Sequence, residues 1–286
     1  MKLCRYGAAG AEQPGLVDAE GRVRDLSGHV ASIDGALLAD PARLAAVAAL
    51  DPENLPLVDG TPRYGVPVAG TRKFIAIGLN YADHAAESNL PIPDEPVVFN
   101  KWVSCLQGPN DPVVIPRGST KTDWEVELGI VIGRGGHDIA QGDAIEHVAG
   151  YVCVNDVSER HWQLERGPTW DKGKGFPTFG PVGPWLVTRD EVPDPRALSM
   201  WLDVNGERMQ DGSTATMIFG VEEIVSYCSR LMQLEPGDII TTGTPPGVGM
   251  GQKPEPRYLK AGDVVTLGIG GLGAQRQDVV AAEARG

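Results

Sequence analysis

Asp123-Trp124-Glu125-Val126-Glu127-Leu128-Gly129-Ile130-Val131-Ile132 is the stretch on which the reading of the fold turns. Side chains alternate along a strand with a period of two, so Glu125 and Glu127 share one face while Trp124, Val126, Leu128 and Ile130 take the other. An edge strand would simply turn two such glutamates to solvent. This run instead continues as an unbroken apolar segment, the pattern of an interior strand. A second apolar strand, Val148–Val154, then leads directly into Asn155-Asp156. Three carboxylates delivered to strand ends by an apolar framework repel one another unless a cation lies among them. If they hold an ion, all-oxygen ligation selects a hard one: Mg²⁺, with Mn²⁺ or Ca²⁺ as substitutes.

Outward from this pair, Phe74–Gly78, Asp238–Thr242 and Asp263–Ile269 are further short strands bounded by Gly, Pro or Asp. Asn205-Gly206 lies between short flanks, a strong local hairpin signal. Val221, Ile224, Val225, Cys228, Leu231 and Met232 fall on one face of a helix that Pro236-Gly237 terminates. The balance predicts a β-rich α+β fold, without the regular alternation of a doubly wound nucleotide-binding sheet. Residues 1–68 are expected to form a small N-terminal domain, with a helix through Pro41–Leu50 and a Pro/Gly-broken linker at Leu55–Pro62. The catalytic domain is then 69–286.

The formal charge of −13 disfavours nucleic acid and anionic membrane surfaces, and an anionic substrate would need local positive charge. The four cysteines are widely spaced with no C-x-x-C pair, which excludes a disulfide framework or a zinc site as the organising element. No apolar run has the length of a membrane span and the N-terminus lacks a signal core, so the expected location is cytoplasmic.

Three other segments carry chemistry. In Gly78-Leu79-Asn80-Tyr81-Ala82-Asp83-His84-Ala85-Ala86-Glu87, Asn80 and Asp83 suit a capping box, and His84 and Glu87 stand three apart on one helix face. A carboxylate that holds an imidazole makes it a better base. Downstream, Arg160, Gln163 and Lys174 offer the cationic and donor groups an acid substrate needs. There is no G-K-[ST] sequence to make the glycines after Asp171 a phosphate loop. Lastly, Thr242-Gly243-Thr244-Pro245-Pro246-Gly247-Val248-Gly249 is a rigid turn whose backbone amides can hold a carboxylate.

Taken in order, these segments resemble the fumarylacetoacetate hydrolase family over about Phe74 to Leu267. The resemblance implies a β-rich roll of mixed sheets with a small N-terminal domain, assembled as a homodimer. It implies a metal on Glu125, Glu127 and Asp156. It makes His84 and Glu87 a water-activating pair on a lid-like segment, Lys174 a catalytic cation, and Arg160, Gln163 and Thr244 substrate contacts. The chain departs from the family pattern at Pro177, where relatives often carry Asp close to the lysine.

The activity so implied is metal-dependent cleavage of a carbon–carbon bond in a small 2-keto acid. Oxaloacetate decarboxylation, isomerisation of a 2-keto diacid and a ureidoglycolate lyase reaction are alternatives on the same residues. Within the family, the sequence looks most like the branch acting on 2,4-diketo-3-deoxy sugar acids such as the L-rhamnonate derivative. Ser88–Pro96 fits that branch, being polar, proline-stiffened and free of aromatic rings.

Overall fold

A computed structural model describes residues 1–87 and 91–283, leaving aside the side chains at 84–86. Val126–Ile132 runs through the interior of a nine-stranded mixed sheet, between Val148–Asn155 and Ile239–Thr241. Ile239–Thr241 pairs in turn with Phe74–Gly78 in parallel, and Val97–Lys101 closes that side. A second, five-stranded sheet contains the hairpin Ser199–Val204 and Glu207–Ser213, with Val264–Ile269, Gly273–Ala281 and Val113–Ile115 beyond it. The hairpin turns at Asn205-Gly206, where both residues take positive φ, as a tight two-residue connection requires.

Alternation along Val126–Ile132 decides what each face of the large sheet buries. Trp124, Val126, Leu128, Ile130 and Ile132 pack with Met200, Leu202, Val265 and Leu267 of the second sheet and with Ile224 and Val225 of the helix Val221–Leu231. Each such side chain, when fully buried, stabilises by about 1.5–3 kcal/mol over leaving it in water. Val131, on the opposite face with Glu125 and Glu127, joins Val152, Val154, Ile239 and Phe74 in another cluster. The architecture is the β-rich roll expected.

Lys2–Tyr6 pairs antiparallel with Leu186–Thr188, so the N-terminal strands extend the large sheet. Leu3, Leu16, Leu26, Ile33 and Leu37 share a core with Phe74 and Val131. Among the described residues no helix is long and apolar enough to cross a membrane.

Asn80 does not cap the short helix Ala82–Glu87. Its buried carboxamide accepts from the Phe219 amide at 2.8 Å and donates to the carbonyls of Thr242 (2.8 Å) and Phe219 (3.1 Å). The Asp83 carboxylate accepts from Thr216 Oγ1 at 3.1 Å. For Asn80 the tertiary partners win because they satisfy buried backbone groups around Phe219 and Thr242. The base of this helix is thereby pinned to the core.

Candidate active site

Strand register brings the three carboxylates together. Asn155 stands opposite Val126 in the antiparallel pair, so the next residue, Asp156, meets Glu125, and its amide donates to the Glu125 carbonyl at 2.9 Å. Oxygens of Glu125, Glu127 and Asp156 all lie within 4.8 Å of one another, and all three residues are buried. The spacing suits one hard cation held by several carboxylate oxygens.

Three basic side chains surround the trio. The Lys174 ammonium lies 2.7 Å from Glu125 Oε2 and 2.7 Å from Asp156 Oδ2. Lys101 Nζ lies 2.6 Å from Asp156 Oδ1 and donates to the Lys174 carbonyl at 2.5 Å. Arg160 spans Glu125 Oε1 (2.7 Å) and Asp123 Oδ2 (2.8 Å), with its third donor on Gln163 Oε1 at 2.9 Å. With Asp123 the cluster holds four carboxylates against three cations. A divalent ion reverses that surplus, which suits an anionic substrate. The donor set and the charge balance therefore both fit a divalent cation.

The pKa shifts follow from these contacts. Burial pushes the Glu127 carboxyl well above its ordinary value, and the negative charges of Asp156 and Glu125 add to it. Burial also opposes ionisation of Glu125, but Lys174 and Arg160 outweigh it and hold that carboxyl low. Lys174 loses by burial and gains more from Asp156 and Glu125, so its ammonium is raised and stays charged.

The Thr242–Gly249 turn does hold carboxylates, and they are the protein's own. Gly243 N–H donates to Glu127 Oε2 at 3.0 Å, and Gly247 N–H to Glu87 Oε1 at 3.1 Å. Gly249 and Met250 N–H donate to the two Asp123 oxygens at 2.6 and 3.0 Å. At Gly247, φ is +104° and a Cβ would lie 1.9 Å from the Met209 carbonyl oxygen, so only glycine serves there.

A cavity of about 400 Å³ opens onto this cluster. Glu87, Glu125, Glu127, Arg160, Gln163, Lys174 and Thr244 line it, together with apolar groups including Phe99, Leu164, Trp170 and Met250. Arg160, Gln163 and Thr244 reach it with much of their bonding capacity in use. Thr244 Oγ1 donates to the Val126 carbonyl at 2.9 Å and accepts from Gln210 at 2.8 Å. The side chain of His84 lies outside the described residues. Pro177 is exposed, and Lys174 makes both its ion pairs without a carboxylate there.

Sequence reasoning missed Asp123, Lys101, Phe99 and Trp170. Asp123 is fully buried within the very stretch that was read for its glutamates. An acid directly before a buried strand is a signal that it needs partners. The ring-free Ser88–Pro96 stretch was a poor guide to the cavity, because its rings come from Phe99 and from Trp170, 74 residues after Pro96.

Buried acids and bases of a β-rich roll converge on one cavity, around an acidic trio that could hold a metal ion. The chain belongs to the fumarylacetoacetate hydrolase family, whose model, "Fumarylacetoacetate (FAA) hydrolase C-terminal", matches residues 73–280. A Burkholderia multivorans protein named only as a hydrolase is 63% identical over 277 residues, covering 97% of this chain and 98% of that one. The solved fumarylacetoacetate hydrolase of Exiguobacterium antarcticum is 36% identical with a TM-score of 0.87, covering 99% of this chain and 100% of that one. Maleylpyruvate hydrolase from Sphingobium sp. SYK-6, solved with manganese(II) and pyruvate, is 29% identical with a TM-score of 0.82 and the same coverage.

Proposed function

We propose that this protein is a divalent-metal-dependent hydrolase that cleaves an acylpyruvate-type 2,4-diketo acid to pyruvate and a carboxylic acid. The carrying observation is the buried Glu125–Glu127–Asp156 trio with the Lys174 ammonium 2.7 Å from two of its members. The related maleylpyruvate hydrolase, solved with manganese and pyruvate, supports the reading. Mg²⁺ is the proposed native ion, and Mn²⁺ has the same hard-oxygen preference.

Bound at the trio, the cation would supply Lewis-acid polarisation of the substrate's carboxylate and 2-keto oxygens. Arg160 and Lys174 keep Glu125 ionised for that role. His84, placed with Glu87 on the helix Ala82–Glu87, takes the proton of the attacking water. The oxygen adds to the C4 carbonyl carbon, and the C3–C4 bond breaks with its electron pair passing to C3 and the C2 carbonyl. Lys174 stabilises the developing negative charge, and a proton delivered to C3 completes pyruvate. The acyl half leaves as a carboxylate, so one water is consumed per bond cleaved.

Pyruvate release from a panel of acylpyruvates, with chelator and after Mg²⁺ or Mn²⁺ is restored, tests the reading. Metal-dependent pyruvate formation with a stoichiometric carboxylic acid supports it. Faster turnover of oxaloacetate, with carbon dioxide as co-product, would replace hydrolysis by decarboxylation.

A further inference from the structure

The cavity has an apolar end whose construction is visible. Gly78 closes the strand Phe74–Gly78, and the Trp170 ring lies against it: a Cβ at Gly78 would stand 2.4 Å from Trp170 Cζ3. Glycine therefore lets the indole reach the backbone. Phe99 meets Trp170 edge-on, with centroids 5.3 Å apart and planes at 63°. The neighbours of the two rings are bonded to each other, since Asn100 N–H donates to Asp171 Oδ1 at 2.8 Å. That bond ties the strand carrying Phe99 to the start of the helix that follows Trp170, so the pair is held as a unit.

The same Phe99 ring faces the Lys174 ammonium at 5.3 Å. The aromatic pair is thus continuous with the catalytic cluster. Leu164 and Met250 also line the cavity, and both are substantially exposed, 46% and 39%. Apolar side chains left bare around a catalytic cavity are covered when a ligand of matching polarity enters. Glu87, which also lines the cavity, accepts from the Gly247 amide at 3.1 Å.

We infer that Trp170, with Phe99 beside it and Gly78 beneath it, selects a planar, unsaturated or aromatic acyl group on the substrate. The inference rests on the acylpyruvate reading and specifies which half of that molecule this chain discriminates. A flat π-system gains from the ring face and edge as well as from burial. A polyhydroxylated tail would set hydroxyls against the apolar surfaces of Trp170, Phe99, Leu164 and Met250, a poorer match there than a flat apolar acyl group. The pyruvate half is common to all candidates and contributes nothing to this choice.

The test compares kcat/KM for three Mg²⁺-supported substrates: a benzoyl- or alkenoyl-pyruvate, acetylpyruvate, and a 2,4-diketo-3-deoxy sugar acid. The planar acyl substrate is expected to lead acetylpyruvate by about tenfold or more, and the sugar acid to trail both. Trp170→Leu, which keeps an apolar side chain, should collapse the planar-to-acetyl ratio mainly through KM. Quenching of tryptophan fluorescence by a non-cleavable planar analogue should be lost in the same variant, a readout that does not depend on turnover. Circular dichroism checks that the variant folds. Cleavage led by the sugar acid, or an unchanged selectivity ratio and quenching in folded Trp170→Leu, overturns the inference while leaving the hydrolase reading intact. If none of the three yields pyruvate, the hydrolase reading itself fails.

Discussion

The backbone amide of Gly243 donates a 3.0 Å hydrogen bond to Glu127 Oε2, supporting a carboxylate that burial and two like charges otherwise oppose. Its neighbour Glu125 is held low by Lys174 and Arg160. Two glutamates of one strand face are therefore shifted in opposite directions.

That split has a pH consequence. Glu127 is raised in the folded, metal-free protein, so the folded state binds a proton the unfolded state has already lost. Stability should fall as pH rises from the ordinary carboxylate pKa towards the raised one, and metal binding should release a proton. Titration calorimetry of Mn²⁺ in buffers of different ionisation enthalpy should show that proton, with affinity rising with pH through the same window. Glu127→Gln should flatten the stability profile of the metal-free protein and abolish Mn²⁺ binding. A proton-neutral titration would contradict this account.

Lys174→Met removes the ammonium shared by Glu125 and Asp156. With charge stabilisation at a developing oxyanion at stake, kcat should drop by about 10²–10³-fold. Because the Lys174 pKa is raised, the wild-type rate should show no loss from its deprotonation in the neutral range. Steady-state kinetics across pH for both proteins checks this.

Asp123 accepts from Arg160, Gly249, Met250 and its neighbour Trp124 while fully buried. Asp123→Ala strips Arg160 of one counter-ion and frees the turn after Val248. The expected loss is about 3–5 kcal/mol, the range for breaking a buried pair. Urea denaturation measures it, and a loss below 1 kcal/mol would show the contacts to be incidental.

His84→Ala should lower kcat by ~10²–10⁴-fold, the usual contribution of a general base, with Mn²⁺ affinity retained. Glu87→Gln should cost less, and part of its effect should come from the lost charge opposite the Gly247 amide. Single-turnover rates with Mn²⁺ binding measured in parallel separate the two. Wild-type rates in His84→Ala would remove it as the base.

We propose a homodimer, the assembly that the family resemblance implies. Light scattering at micromolar concentration should return twice the 30.4 kDa chain mass. A monomer mass would remove assembly from it.

Local pattern alone determined much of this protein. The period of two along 123–132 placed Glu125 and Glu127 on one face and the packing residues on the other, because strand geometry allows nothing else. Asn205-Gly206 set its hairpin for an equally local reason, both positions needing positive φ. Even Asp156 was legible, since an apolar strand ending in an acid delivers that acid to the strand end. Tertiary structure decided the rest. Asn80 left its helix cap for partners 139 and 162 residues away, Lys101 met Asp156 across 55 residues, and Trp170 came to rest on Gly78. Arg160 and the Gly243–Gly249 amides were read as groups for an acid substrate, and in the fold they hold the protein's own carboxylates. Such pairings follow from strand order and long side-chain reach, and neither leaves a periodic trace in the sequence. The carboxylate trio was written locally; the aromatic pair that lines the cavity meets only in the folded sheet.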